Sequence, residues 1–109
     1  MAMDEHTDEL FEIHARFCSV FSNPKRLKII WLIGDQDKSV GEIAKDAGLS
    51  ESSVSQHLRV MKDRDAVVSR KEGRTVYYRV ANRSFLKGLK HIRAGLIEEH
   101  EKKSKTMRA

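Results

Sequence analysis

The chain has one cysteine, one proline and no long apolar run in its 109 residues. The lone Cys18 excludes an intrachain disulfide and a cysteine-rich zinc site within one chain. It fits a reducing compartment, so a cytoplasmic location is expected. No stretch approaches the roughly 18 consecutive apolar residues of a membrane span, and no membrane partner is expected. The first residues, MAMDEHTDEL, are acidic and polar, unlike a secretory signal. There are no repeats. A glycine-rich phosphate loop, a pair of acid–base carboxylates and a Ser/His/Asp order are all missing, so no enzyme is expected. The length suits a single domain over residues 1–109, with a polar tail from about residue 98 that is expected to fray.

What the chain does have is charge. Charged residues make up 34% and apolar ones 39%, so the core is small and self-association is its expected support. The net charge of +5 is unevenly placed. Residues 1–23 carry Asp4, Glu5, Asp8, Glu9 and Glu12 against Arg16. Ser52–Arg93 carries eleven Lys and Arg against three acids. Such a block reads either as a polyanion footprint or as a solvated face.

Periodicity organises the rest. Leu10, Ile13, Phe17 and Val20 recur at helical steps within Asp8–Phe21. Asn23-Pro24 starts a second helix, Pro24–Ile33, with Leu27, Ile30 and Trp31 expected inside and Gly34 at its end. Ser39-Val40-Gly41-Glu42 is a capping box, opening a short helix to Ala47. Gly48 supplies a left-handed turn and Leu49 a plug. Ser50 then caps a helix from Glu51 to about Arg64, with Val54, Leu58 and Met61 inward. Two short helices joined through a glycine turn form a helix-turn-helix.

The period then changes to two. Val67–Lys71 and Arg74–Val80, around a Glu72-Gly73 tip, predict a hairpin with Val76, Tyr78 and Val80 on one face. Tyr77 and Tyr78 are expected to pack within it. A last helix starts near Asn82 or Ser84 and carries Phe85, Leu89, Ile92 and Leu96. The fold expected is mainly α with a β-hairpin wing: five helices in a winged helix-turn-helix.

The segments SNPKRLKII and VGEIAKDAGLSESSVSQHLRVMKDRDAVVSRKEGRTVYYRV closely resemble the ArsR/SmtB family of bacterial and archaeal transcriptional repressors. One departure is Asp65, where the family has glycine; Asp tolerates left-handed geometry better than most residues. The resemblance implies a homodimer joined through its terminal helices.

The residues support DNA recognition independently. Ser52, Ser53, Ser55, Gln56 and Arg59 lie at or near the polar face of Glu51–Arg64, opposite its apolar one. Gln56 can pair bidentately with adenine, and Arg59 with guanine or phosphate. His57 is either a packing residue or a DNA contact. Arg70, Lys71 and Arg74 flank the wing tip and suit the phosphate backbone or the minor groove beside it. Leu10, Ile13, Phe17, Val20, Phe85, Leu89, Ile92 and Leu96 give the terminal helices more apolar surface than a monomer needs, which suggests a dimer seam.

The family's metal positions look empty of ligands. A Cys-x-Cys pair is replaced by Ala44 and Asp46, and the last-helix set by Asn82, Ser84, Gly95 and Glu98, of which only Glu98 could ligate. No cofactor is therefore expected. His14 and Cys18, one helical turn apart, are either interface packing or, joined across a dimer by His91 or His100, a soft metal site. The expected function is a homodimeric regulator, a repressor, that binds palindromic double-stranded DNA and is released by an unknown effector which alters the dimer geometry. The alternative is a winged-helix interaction module with an acidic protein partner.

Overall fold

A computed structural model describes residues 4–108, with side chains as far as residue 105. Five helices are ordered α1 (Asp8–Ser19), α2 (Pro24–Ile33), α3 (Val40–Ala47), α4 (Glu51–Asp63) and α5 (Arg83–Arg108). Three strands, β1 (Lys38–Ser39), β2 (Val67–Glu72) and β3 (Thr75–Val80), form an antiparallel sheet in the order β1-β3-β2.

Local chemistry sets the helix starts. Thr7, Asn23, Ser39 and Ser50 each accept a backbone N–H of the following turn. At Ser39 the box is complete, because Glu42 reaches back to the Ser39 N–H. Each such cap stabilises its helix by about 1 kcal/mol.

Two helix ends use one device. After α3, the Gly48 N–H donates to the Lys45 carbonyl and the Leu49 N–H to Ala44. After α4, the Asp65 N–H donates to Lys62 and the Ala66 N–H to Met61, at 3.0 and 2.9 Å. Both turns place one residue at positive φ, Gly48 at 68° and Asp65 at 63°. This is the Schellman pattern, and the buried Ala66 against the buried Met61 supplies its usual apolar contact.

The core lies where α2, α3 and α4 meet. Ile29, Ile30, Ile33, Ile43, Val54, Leu58 and Met61 are fully enclosed there. Strand β2 closes the base with Val67, and Tyr78 packs on the same cluster from β3. Helix α5 adds Leu86, and α1 approaches through Phe17, whose ring lies 4.3 Å from that of Phe85.

Several expectations need correction. Helix α1 stops at Ser19, and Val20–Ser22 tighten into a 3-10 turn that drives Val20 and Phe21 into the core. Val20 is therefore enclosed by its own chain and cannot serve a dimer seam. Trp31 is only half-buried; the inward residues of α2 are Ile29, Ile30 and Ile33. Helix α4 ends one residue early, at Asp63. The hairpin turn is Gly73-Arg74, because Glu72 pairs with Thr75 across the ladder. Gly73, with φ 62°, occupies the first central position of a two-residue turn, where only glycine is at ease. The two-residue strand β1 has no sequence pattern and was not expected. The tail from residue 98 is helical through Arg108, as its Glu- and Lys-rich composition favours; residue 109 lies outside the described residues.

Asp65 carries the left-handed turn without glycine's freedom. Asp65→Val should lower stability by about 1–2 kcal/mol, whereas Asp65→Gly should leave it unchanged or raised. Urea midpoints of the three proteins check this; equal midpoints for the Val and Gly variants would remove the turn from the account.

Candidate nucleic-acid interface

Helix α4 buries Val54, Leu58 and Met61, and that burial decides what faces outward. Ser52, Ser55, Gln56 and Arg59 are exposed on the opposite side. Gln56 and Arg59 make no hydrogen bond or ion pair with other described residues. Ser53 is half-buried in the first turn, its backbone N–H donating to the Ser50 hydroxyl at 3.1 Å. Val60, 40% exposed, joins this surface and was not singled out from sequence; a branched apolar side chain there suits a thymine methyl group.

His57 turns away from the exposed face. It is half-buried, and α4 packs there against α2. Burial, and then the positive charges of Arg26 and Lys25, hold its imidazole below the ordinary histidine value. Both effects favour the uncharged form of the ring.

The wing divides its three cations into two kinds. Lys71 and Arg74 are exposed and unpaired among the described residues. Arg70 is engaged: its Nε donates to Asp37 Oδ2 at 3.2 Å and its Nη1 to Glu72 Oε2 at 2.6 Å. Its guanidinium also lies over the Tyr77 ring, 4.6 Å from the centroid. The hydrogen bonds to Glu72, and then Asp37, raise its pKa further. Arg70 therefore fastens the hairpin to the loop ahead of β1 and neutralises the acid at the tip. Its side chain remains half-exposed beside the wing tip, and no local pattern links it to Asp37, 33 residues away.

The terminal helices enclose a groove of about 660 Å³, lined by Leu10, Ile13, Phe17, Phe85, Leu89 and Ile92. Leu10, Phe17, Phe85 and Leu89 are half-buried within one chain. Ile92 and Leu96 are 61% and 66% exposed, and Phe11 and Ile97, not anticipated, are exposed beside them. The groove's rim carries His14 and Cys18, both exposed on α1. His91 and His100 are exposed on α5. Among the described residues, no three His, Cys, Asp or Glu stand together as a metal-holding group. Ala44 is buried, and Asp46 lies 3.8 Å from the Lys38 ammonium. No helix among them is long and apolar enough to cross a membrane.

This arrangement has known counterparts. Residues 23–67 match the family model of the bacterial regulatory proteins of the arsR family. The chain is 37% identical over 84 residues to the nodulation protein NolR of Rhizobium meliloti, covering 77% of this chain and 67% of that protein. It is 33% identical over 76 residues to the HTH-type transcriptional regulator Rv0081 of Mycobacterium tuberculosis, covering 69% and 67%. A transcriptional repressor SmtB homolog of Synechocystis is 35% identical over 68 residues, covering 62% and 52%. The crystal structure of Rv0081 superimposes with a TM-score of 0.78 at 28% identity, over 89% of this chain and 98% of that one. That of NolR from Sinorhizobium fredii gives 0.70 at 34% identity, over 84% and 92%.

The two kinds of wing cation should separate on duplex DNA. Each phosphate contact adds about 0.9 to the slope of log affinity against log salt. Arg74→Ala should lower that slope by about 0.9 for each wing engaged. Arg70→Ala should change it less and instead loosen the hairpin, seen as faster amide exchange in β2. Equal slopes for Arg74→Ala and the parent protein would take the wing off the phosphate backbone.

Proposed function

This chain belongs to the arsR family of bacterial regulatory proteins, and from that we propose that it is a homodimeric transcriptional repressor gripping palindromic operator DNA through α4 and the wing. It is a regulator, not an enzyme, and it works in the cytoplasm, where that DNA lies. The observation that carries the reading is the outward face of α4. A helix capped and packed from behind presents Gln56 and Arg59 with no side-chain partner among the described residues, beside a wing with two cations likewise unpaired among them. Side chains held ready in this way meet base edges in a major groove without first giving up internal bonds. The phosphate-facing cations supply affinity, and the α4 side chains supply sequence preference.

A second copy of the chain covers the groove between α1 and α5. Exposed Ile92, Leu96, Ile97 and Phe11 make an apolar surface that one chain leaves in water. A two-fold pair then sets two α4 helices on half-sites about 34–36 Å apart. Ala44, Asp46, Asn82, Ser84 and Gly95 give the protein no use for zinc or cobalt at the positions that the resemblance assigns to metal. Its effector acts elsewhere.

Selection of bound genomic fragments would supply the operator and test the reading as a whole. A stable dimer that retains no DNA but captures an acidic protein would favour the interaction module.

Two variants test the parts. Gln56→Ala should weaken operator binding by about 1–3 kcal/mol and relax preference at one base pair. Equal loss on random DNA would show that Gln56 meets only the backbone. Ile92→Glu places a charge in the proposed seam while sparing the core, since Ile92 is largely exposed in one chain. Sedimentation should report folded monomers, with operator binding lost alongside. A dimer of parental affinity would move the seam to another surface.

A further inference from the structure

A second groove, of about 370 Å³, lies between α2 and α5 and shares no lining residue with the one beside α1. Pro24, Leu27, Lys28, Trp31 and Leu32 of α2 line it, together with Arg93 of α5. That volume suits a small organic molecule. Pro24, Leu27, Lys28 and Trp31 fall at helical steps of three, one and three, on one face of α2. Leu27 and Trp31 pack at the margin of the core and stay half-buried. On α5, Arg93 follows the buried Leu86 by seven residues, so it continues the same face two turns further on.

The Arg93 guanidinium lies over the Trp31 ring, 4.0 Å from its centroid. A guanidinium stacked in this way keeps its N–H donors at its edge, available to an acceptor. Arg70 has the same arrangement over Tyr77 and spends its donors on Asp37 and Glu72. Arg93 makes no hydrogen bond or ion pair with other described residues. Lys28 donates from Nζ to the Ala47 carbonyl at 3.0 Å, which holds its charge beside the groove. Among the described residues no acid lines the groove, and the α5 neighbours one turn from Arg93 are Leu89, Lys90, Leu96 and Ile97. Two cations therefore border an apolar groove with no carboxylate to answer them.

We propose that the groove between α2 and α5 binds a small organic carboxylate, whose head takes the edge of Arg93 and whose apolar body lies on Leu27, Trp31 and Leu32, and that this molecule is the effector. A carboxylate matches the guanidinium fork with two parallel hydrogen bonds. Burial of the body against the apolar walls separates such a ligand from inorganic anions. Helix α2 also supplies Ile29, Ile30 and Ile33, on which α4 sits, and α5 supplies Ile92 and Leu96 of the proposed seam. A molecule held by both helices resets the seam relative to α4, and with it the spacing of the two α4 helices in a dimer. Its binding therefore opposes operator binding. The site itself stands without the DNA-binding reading; its role as effector site rests on that reading.

Trp31 is the only tryptophan in the chain, so its fluorescence reports on the groove directly. The probe is phenylacetate, a carboxylate with an apolar body and about ten non-hydrogen atoms in all, a size that reaches millimolar affinity. Acetate and phenethyl alcohol supply its two parts separately. Phenylacetate should shift the Trp31 emission of the full-length protein saturably, with a midpoint about tenfold or more below that of either part. Arg93→Ala, at an exposed position, should raise the midpoint by about tenfold or more, and Arg93→Lys, which keeps the charge without the fork, by less. Phenylacetate should lower parental affinity for a duplex selected for binding by about 5–150-fold, and the duplex should weaken phenylacetate by the same factor. No saturable response at millimolar phenylacetate, or a midpoint unchanged in Arg93→Ala, overturns the site. An emission that shifts on dilution of the protein but not with phenylacetate gives the groove to a second copy and overturns the site as well. Phenylacetate binding that leaves duplex affinity unchanged overturns the effector role alone. Failure of the parent to bind any duplex overturns the DNA reading and the effector role, while the fluorescence titration still decides the site.

Discussion

Everything this protein presents to a partner depends on how α4 is seated. Val54, Leu58 and Met61 have no solvent exposure, and they meet Ile29, Ile30 and Ile33 of α2 and Ile43 of α3. Burying side chains of this size stabilises the seat by about 1.5–3 kcal/mol each. Rotating α4 by one residue would bring Ser55 or Gln56 into that space without partners, at a cost of about 1–3 kcal/mol for each unsatisfied group. The apolar seam thus fixes the azimuth of the helix, and the azimuth fixes which side chains reach outward. The two Schellman turns hold the ends, with Leu49 tucked in at one and Ala66 at the other.

The wing is governed differently. Strand β3 leans on the core through Tyr78 and Val80, while the residues from Arg70 to Thr75 at its tip are exposed. Arg70 takes that part, bridging Asp37 and Glu72 and lying over Tyr77. An exposed ion pair of this kind contributes little to overall stability. Its effect is positional: it joins the hairpin to the segment that leads into α3, so the wing and the helix-turn-helix keep a common orientation.

Much of this was legible in the residues. Caps, glycine turns and apolar periodicity depend on neighbours within a few positions, and Asn23-Pro24, the Ser39–Glu42 box and Gly48 were read correctly for that reason. Asp65 was read correctly too, because the tolerance of Asp for left-handed geometry is a property of the residue. What escaped depended on contacts distant in sequence or on small local shifts. Val20 looked like one more step of a helical stripe until the chain tightened beneath it. Strand β1 is two residues long and exists only because β3 lies beside it. The role of Arg70 requires an acid 33 positions away. Trp31 was expected inside with Leu27 and Ile30; Arg93 instead lies over its half-buried ring, 4.0 Å from the centroid.

The freedom of the outward face of α4 has a consequence for how such a protein changes over generations. Its exposed side chains contribute nothing to the core, and those of Gln56 and Arg59 hold no bond to other described residues. Exchanges at exposed, unbonded positions usually alter stability by less than about 0.5 kcal/mol. Recognition can therefore drift while the scaffold stays constant, and a duplicated copy can acquire a new target in a few substitutions without passing through an unfolded intermediate. A library randomised at Ser52, Ser55, Gln56 and Arg59 would consist largely of folded proteins, differing in what they read rather than in whether they stand.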